Sequence, residues 1–365
     1  MNHILIGNGL IIQYGGSDYL NDRIIERAFE LLNSEDFPGF AFPVEIGDWI
    51  KLLHLTIPEI IHGEFDHYAV IGNEKNDLLS FKNRYKNTTA INQVGFEDFF
   101  FIHQLYCRKN KVDNPDRFYI QEHIKRFFIH SIYNSGKINQ VMKSFPSGLK
   151  TYLLNFDSIF TTNYDSNLER FIGTKIFYLH GAFHFLDDPY DPKSLRNYLS
   201  DRPLDSAPDL TGYEYLFSNC ISYSSGELKD SKGTQGKLAN EALEKFRVAF
   251  QNDPKLKAEI SKWGKADNSL VNKLYESIVK SSEDNNLKYS DNHSISNLSD
   301  IKGNLTILGL SPFNDSHIFK RIQENGELKK ITYFFYDKSD CEILKSKIKG
   351  KEIAYKDVTQ LWKSF

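Results

Sequence analysis

The chain is expected to be an α/β protein: a Rossmann-like parallel sheet carrying largely helical insertions. Three short apolar or β-branched runs point to it. They are Ile4-Leu5-Ile6, Ile159-Phe160-Thr161 and Leu305-Thr306-Ile307-Leu308, and each ends in small or polar residues. Helical periodicity fills much of the chain between them. In an open parallel sheet, ligands bind at the carboxyl ends of the strands. Three such ends bearing an Asn, an Asp and a His predict a catalytic pocket.

The elements follow in order. Residues 3–6 read as a short buried strand, closed by the turn Gly7-Asn8-Gly9. Asp18 or Asn21 is placed to cap a helix whose Ile24, Ile25, Ala28, Phe29 and Leu32 recur at helical spacing. Pro38 and Pro43 interrupt it. Residues 45–145 look mainly helical and aromatic. Phe96, Phe99, Phe100 and His103 share one face; Ile120, His123, Ile124, Phe127 and Phe128 share another. Glu97 and Asp98 read as a solvated helix edge. The sheet returns at 158–162 and 175–179. Residues 186–300 are polar, with helices expected over 235–280 and loops around 186–210 and 281–300. A strand at 304–310, a helix from Asp315, a strand at 330–336 and a closing element near Trp362 complete the chain. The expectation is one domain over 1–365, with its core in 1–35, 150–185 and 300–365. A helical insertion occupies 36–149 and a second insertion 186–299.

Composition narrows the function. In 365 residues, 40% are hydrophobic and 25% charged, with a net charge of −3, so there is material for a core and no overall bias toward nucleic acid. Three cysteines, none within metal-ligand spacing of another, exclude a four-cysteine zinc site and suggest a reducing compartment. No signal peptide and no apolar stretch of the roughly 20 residues a membrane helix needs are visible. A cytoplasmic protein without a membrane or direct nucleic-acid partner is expected.

The candidate site residues lie at the strand ends. Gly7, Asn8 and Gly9, with Gly15, stand where a Rossmann-like fold puts its phosphate turn, because glycine lets backbone approach a pyrophosphate. Ile12 occupies the third glycine position of the dinucleotide pattern, so the alternative is a tight turn without a ligand. Thr162-Asn163-Tyr164-Asp165 follows a strand directly. Asn163 is suited to hold a ribose hydroxyl or a water; Asp165 could instead cap the next helix. His180-Gly181 ends the next strand, with His180 placed as a general base. The alternatives are a satisfied core histidine, or His184 as the base. Gly309, Ser311 and Asp315 end a third strand. Ser311 is the better ligand there, since Asp315 could serve as a helix cap. No Ser-His-Asp order and no Walker A sequence appears.

As an ordered set these segments resemble the sirtuin superfamily, most closely the sirtuin-like domains of bacterial anti-phage defence. The family pattern is G-A-G-x-S-x-x-x-G, Q-N-x-D, H-G and G-T-S. Its counterparts are Gly7-Asn8-Gly9 with Gly15, then Thr162-Asn163-Tyr164-Asp165, then His180-Gly181, then Gly309-Leu310-Ser311. Gly7 and Gly15 stand eight positions apart, as in that pattern. Thr161–Asp165, Leu179-His180-Gly181 and the run from Gly309 through Asn314, Asp315 and His317 to Phe319 have the form of the defence branch. Gly-Asn-Gly is also similar to the AbiH abortive-infection family. Asn8 replaces the family Ala, and Ile11 its Ser. The zinc-binding cysteines of deacetylating sirtuins have no counterpart.

The resemblance implies NAD as substrate and no metal. It places Asn163 on the ribose and attacking water, Asp165 on the nicotinamide carboxamide, His180 as general base, and the glycine turn on the pyrophosphate. The implied activity is an NAD glycohydrolase of abortive infection, gated by homo-oligomerisation or by a partner such as a HerA-type ATPase or an Argonaute-like protein. Alternatives are an NAD-dependent protein deacylase and a non-enzymatic NAD or ADP-ribose sensor.

Overall fold

A computed structural model describes the chain except residues 36, 43–44, 72–73, 88–89, 201–202, 207–210, 222–227, 291–292 and 314; side chains of 228–233 are also outside the described set. Pro43 and Asn314, named above, therefore lie outside the described residues.

Six parallel strands form one sheet. They are β1 (Asn2–Ile6), β2 (Ser158–Thr161), β3 (Phe177–Tyr178), β4 (Gly303–Leu308), β5 (Leu328–Phe335) and β6 (Glu352–Asp357), in spatial order β3-β2-β1-β4-β5-β6. This is the doubly wound order, whose switch point lies between the first and fourth strands. β1 is apolar because both its faces are covered: Ile4, Leu5 and Ile6 have no solvent exposure. Ile4 and Ile6 join one core and Leu5 the opposite one, as the two-residue strand period requires.

The Ile4/Ile6 core extends through α1 (Gly9–Gly15), α2 (Asn21–Leu31) and the helical insertion. Ile24, Ile25 and Ala28 of α2 are buried against the helix Asp116–Tyr133. The buried Arg27 donates to Ser131 O at 2.9 Å, and Ser131 Oγ donates to Ile24 O. The opposite core packs Ile318, Phe319 and Ile322 of helix Ser316–Glu324, with Leu344 of helix Lys338–Lys347, against Leu305, Ile307 and Ile331. Helices thus cover both faces, as expected for a Rossmann-like sheet. In the second insertion, Leu243, Ile260 and Ile278 of three helices, Leu228–Asn252, Pro254–Trp263 and Ser269–Glu283, form a separate small core with Leu195.

Several expectations differ in detail. Neither Asp18 nor Asn21 caps α2; Leu20 is its N-cap. The Asn21 amide instead donates to Val94 O at 2.9 Å and accepts from Phe96 N at 3.0 Å, tying α2 to the helical insertion. Asp98 is not on a solvated edge. It is buried at the start of helix Asp98–Asn110, where Arg84 donates to both its oxygens at 2.8 and 2.9 Å and Tyr85 adds its hydroxyl. That helix buries Phe99, Phe100, Phe101, Ile102 and His103 in succession, so it has no single apolar face. The chain ends with both a strand, β6, and a short helix, Val358–Trp362.

Candidate active site

The register aligns the strand tips. Ile6 stands opposite Thr161 of β2 and Leu308 of β4, and Thr161 stands opposite Tyr178 of β3. The residues that follow, at 7–9, 162–165, 179–181 and 309–311, therefore emerge at one level on the carboxyl edge. Asn163 and His180 come from neighbouring strands, and both are buried, at 7% and 6% exposure.

The glycine turns touch each other. Gly7 N donates to Leu308 O at 2.9 Å and Gly9 N to Gly309 O at 2.8 Å. A Cβ on Gly7 would lie 2.4 Å from Gly309 O, and one on Gly9 would lie 2.6 Å from Gly309 Cα. Gly309 itself has φ +66°, which favours glycine. These three glycines let the β1 and β4 turns meet backbone to backbone at the switch point. Asn8 donates through Nδ2 to Tyr19 O at 3.0 Å and so fixes the segment after α1. Gly15 lies at the far end of α1, against the Tyr19 ring.

The β2 tip is built by side-chain bonds. Thr161 Oγ1 donates to Ile6 O at 3.0 Å and accepts from Asn163 N at 3.0 Å. Asn163 Nδ2 lies 3.5 Å from Gly7 O, so the amide bridges the β1 and β2 turns. Thr162 N donates to Ile6 O. Asp165 is 3% exposed. Its Oδ1 accepts from Asn167 N at 2.9 Å and Asn167 Nδ2 at 2.5 Å; its Oδ2 is buried with no hydrogen-bond partner among the described residues. Burial pushes this carboxyl up to about 6, against the opposing pull of the Asn167 bonds. Asn167 also donates to Ile138 O and accepts from Met142 N, which clasps the segment Asn134–Ser144 to the site. Nothing in the sequence distinguished Asn167, whose partners lie 25–29 residues away.

His180 faces a partner that the motif reading left without a role. Its Nε2 lies 3.0 Å from His317 Nε2, the two rings being stacked at 5.1 Å. His317 is 1% exposed and follows Asp315 by two residues at the start of helix Ser316–Glu324. Asp315 is the N-cap residue but makes no side-chain capping bond. His180, Asp315 and His317 each offer a ligand atom within 4.8 Å of the others, so this trio has the donors to hold a cation. Gly181 has φ +81°, and a Cβ there would lie 2.4 Å from Asn219 O. Asn219 Oδ1 accepts from Ala182 N, so the second insertion buttresses the His-Gly turn. His184 is 40% exposed and 3.7 Å from Glu169, outside this group. Ser311 Oγ donates to Asp340 Oδ1 at 3.3 Å, on helix Lys338–Lys347.

Asn163, Asp165, His180 and His317 are all buried. Two surface hollows, of about 750 and 500 Å³, lie on the β5–β6 side and contain none of these residues. No described helix is long and apolar enough to cross a membrane. No family model, curated protein or solved structure matches the chain.

Proposed function

We propose that the chain is an NAD glycohydrolase, cleaving the bond between nicotinamide and ribose to release nicotinamide and ADP-ribose. One observation carries this reading: an amide, a carboxylate with an unsatisfied buried oxygen, and an imidazole follow the tips of the neighbouring strands β2 and β3 on the carboxyl edge of a Rossmann-like sheet. Buried carboxylates with raised pKa values and incomplete hydrogen bonding concentrate at functional sites, because folding alone does not reward them.

The chemistry assigns each group a task. Loss of the neutral nicotinamide leaves a cationic, oxocarbenium-like ribose. Asn163 orients a ribose hydroxyl and the attacking water. Asp165 accepts from the nicotinamide carboxamide through Oδ2, and its charge favours the developing cation. His180 takes the proton from the attacking water. The β1–α1 turn lies beside them, where the resemblance puts the pyrophosphate.

Burial of all three groups supports a gated enzyme. Access to NAD requires the segments clasped by Asn167 and Asn219 to move, and assembly with further copies or with a partner such as a HerA-type ATPase or an Argonaute-like protein would supply the energy. In this reading the protein is an effector of abortive anti-phage defence, silent until triggered. The test is incubation of the full chain with NAD, alone and with the products of neighbouring genes, with identification of the products. Nicotinamide and ADP-ribose in equal amounts support the proposal. Binding without turnover in every assembled state would leave a sensor, and acyl-ADP-ribose formed only with an acylated peptide would make it a deacylase.

A further inference from the structure

We propose that His180, Asp315 and His317 form a binding site for one divalent transition-metal ion of the zinc class. The ligand atoms come from two turns on the same edge of the sheet, the tip of β3 and the start of helix Ser316–Glu324. The two imidazole Nε2 atoms are 3.0 Å apart, and all three ligand atoms lie within 4.8 Å of one another. Nitrogens held about 2.0–2.1 Å from a tetrahedral zinc ion stand about 3.3 Å from each other, so the pair opens by only about 0.3 Å to admit one. Both histidines are nearly inaccessible, at 6% and 1% exposure, which holds the rings in place.

Donor chemistry selects the ion. Two imidazoles and a carboxylate suit zinc, cobalt, nickel or copper and not magnesium or calcium. Without an ion, one neutral ring donates its Nε2–H to the other's Nε2; an ion takes both Nε2 lone pairs once that proton has moved to the donor ring's own Nδ1. Three protein ligands leave a fourth position for water. One cation near the trio is Lys347, which interacts with Asp315 and donates to Pro312 O at 2.6 Å. One consequence rests on the NAD-cleaving reading. An ion on His180 takes the lone pair that the base needs, so the metal-loaded protein is the silent form.

The experiment strips the full chain with a chelator and titrates it with Zn²⁺ by calorimetry and with Co²⁺ by visible absorption. One ion per chain is expected, with the intense bands of tetrahedral cobalt. Asp315→Asn and His317→Gln each weaken binding by more than the roughly 10–100-fold that outer-shell changes cost. His317→Cys, which keeps a ligand, retains the ion and adds thiolate-to-cobalt absorption, which separates ligand loss from misfolding. No bound ion in the wild type, or affinity and spectrum unchanged in all three variants, overturns the site. Nicotinamide release undiminished at saturating Zn²⁺ overturns the silencing. These binding readouts need no NAD turnover, so failure of the metal site and failure of the glycohydrolase reading are separately visible.

Discussion

Replacing Asp165 by Asn should make the protein more stable at neutral pH and less active. The carboxyl is fully enclosed, and burial raises it from 3.8 to about 6. That is about 2 pK units, and at about 1.4 kcal/mol per unit the ionised folded state carries a penalty of roughly 3 kcal/mol. The sign follows from proton counting. Below about pH 4 both folded and unfolded chains hold the proton, and there is no penalty. Between about pH 4 and 6 the unfolded chain ionises first, so stability falls as pH rises. Above about pH 6 the penalty is complete. Asn mimics the protonated acid, since its oxygen can accept both Asn167 bonds while its amide nitrogen takes the place of Oδ2. Urea unfolding of both proteins at about pH 4 and 8 measures the effect. The variant's advantage should grow by roughly 3 kcal/mol between these values, while nicotinamide release collapses. A pH-independent difference, or a variant destabilised at pH 8, would refute the account of Asp165 as a strained carboxylate kept for function.

Other substitutions probe separate parts of the molecule. His180→Ala should lower nicotinamide release by roughly 10²–10⁴-fold, the usual worth of a positioned base, without changing the circular dichroism spectrum. His184→Ala should leave the rate unchanged, since that half-exposed ring pairs only loosely with Glu169; a comparable loss would move the base there. Gly7→Ala drives a Cβ to 2.4 Å from Gly309 O and should cost about 1–3 kcal/mol or more in urea unfolding. Gly39→Ala, with nothing within 4 Å, is the silent control. Asp98→Ala strands the Arg84 guanidinium in a largely buried pair and should cost about 3 kcal/mol, read from the same unfolding curves.

The parts of the fold that were legible in the chain are those set by local chemistry. A fully buried parallel strand must be apolar along its length, so β1, β2 and β4 announce themselves. Their tips are marked by the glycines and polar residues that a strand interior rejects. The function of the glycines was only half legible. Gly7 and Gly9 read as room for a phosphate and Gly309 as a ligand-binding strand end, whereas the structure first shows the three making room for one another. Long-range pairings were invisible. His317 looks like an ordinary residue in a helix start, and its partner His180 is 137 residues earlier. Asn167 and Asn219 are unremarkable polar residues until the fold brings Asp165 and the His-Gly turn against them. Asp98 read as solvated because an acidic pair beside apolar residues usually is; its burial depends on Arg84 and Tyr85 arriving from another helix. The burial of Asn163 and His180 belongs to packing between the insertions and the sheet, which periodicity does not report.

The most direct test compares nicotinamide release from NAD by the wild-type chain, Asn163→Ala and His180→Ala, each in its assembled, activated form. Turnover in the wild type, and its near loss in both variants with folding intact, is the predicted result. Wild-type rates in Asn163→Ala would contradict the account, because the neighbouring amide, Asn167, is already engaged by Asp165, Ile138 and Met142.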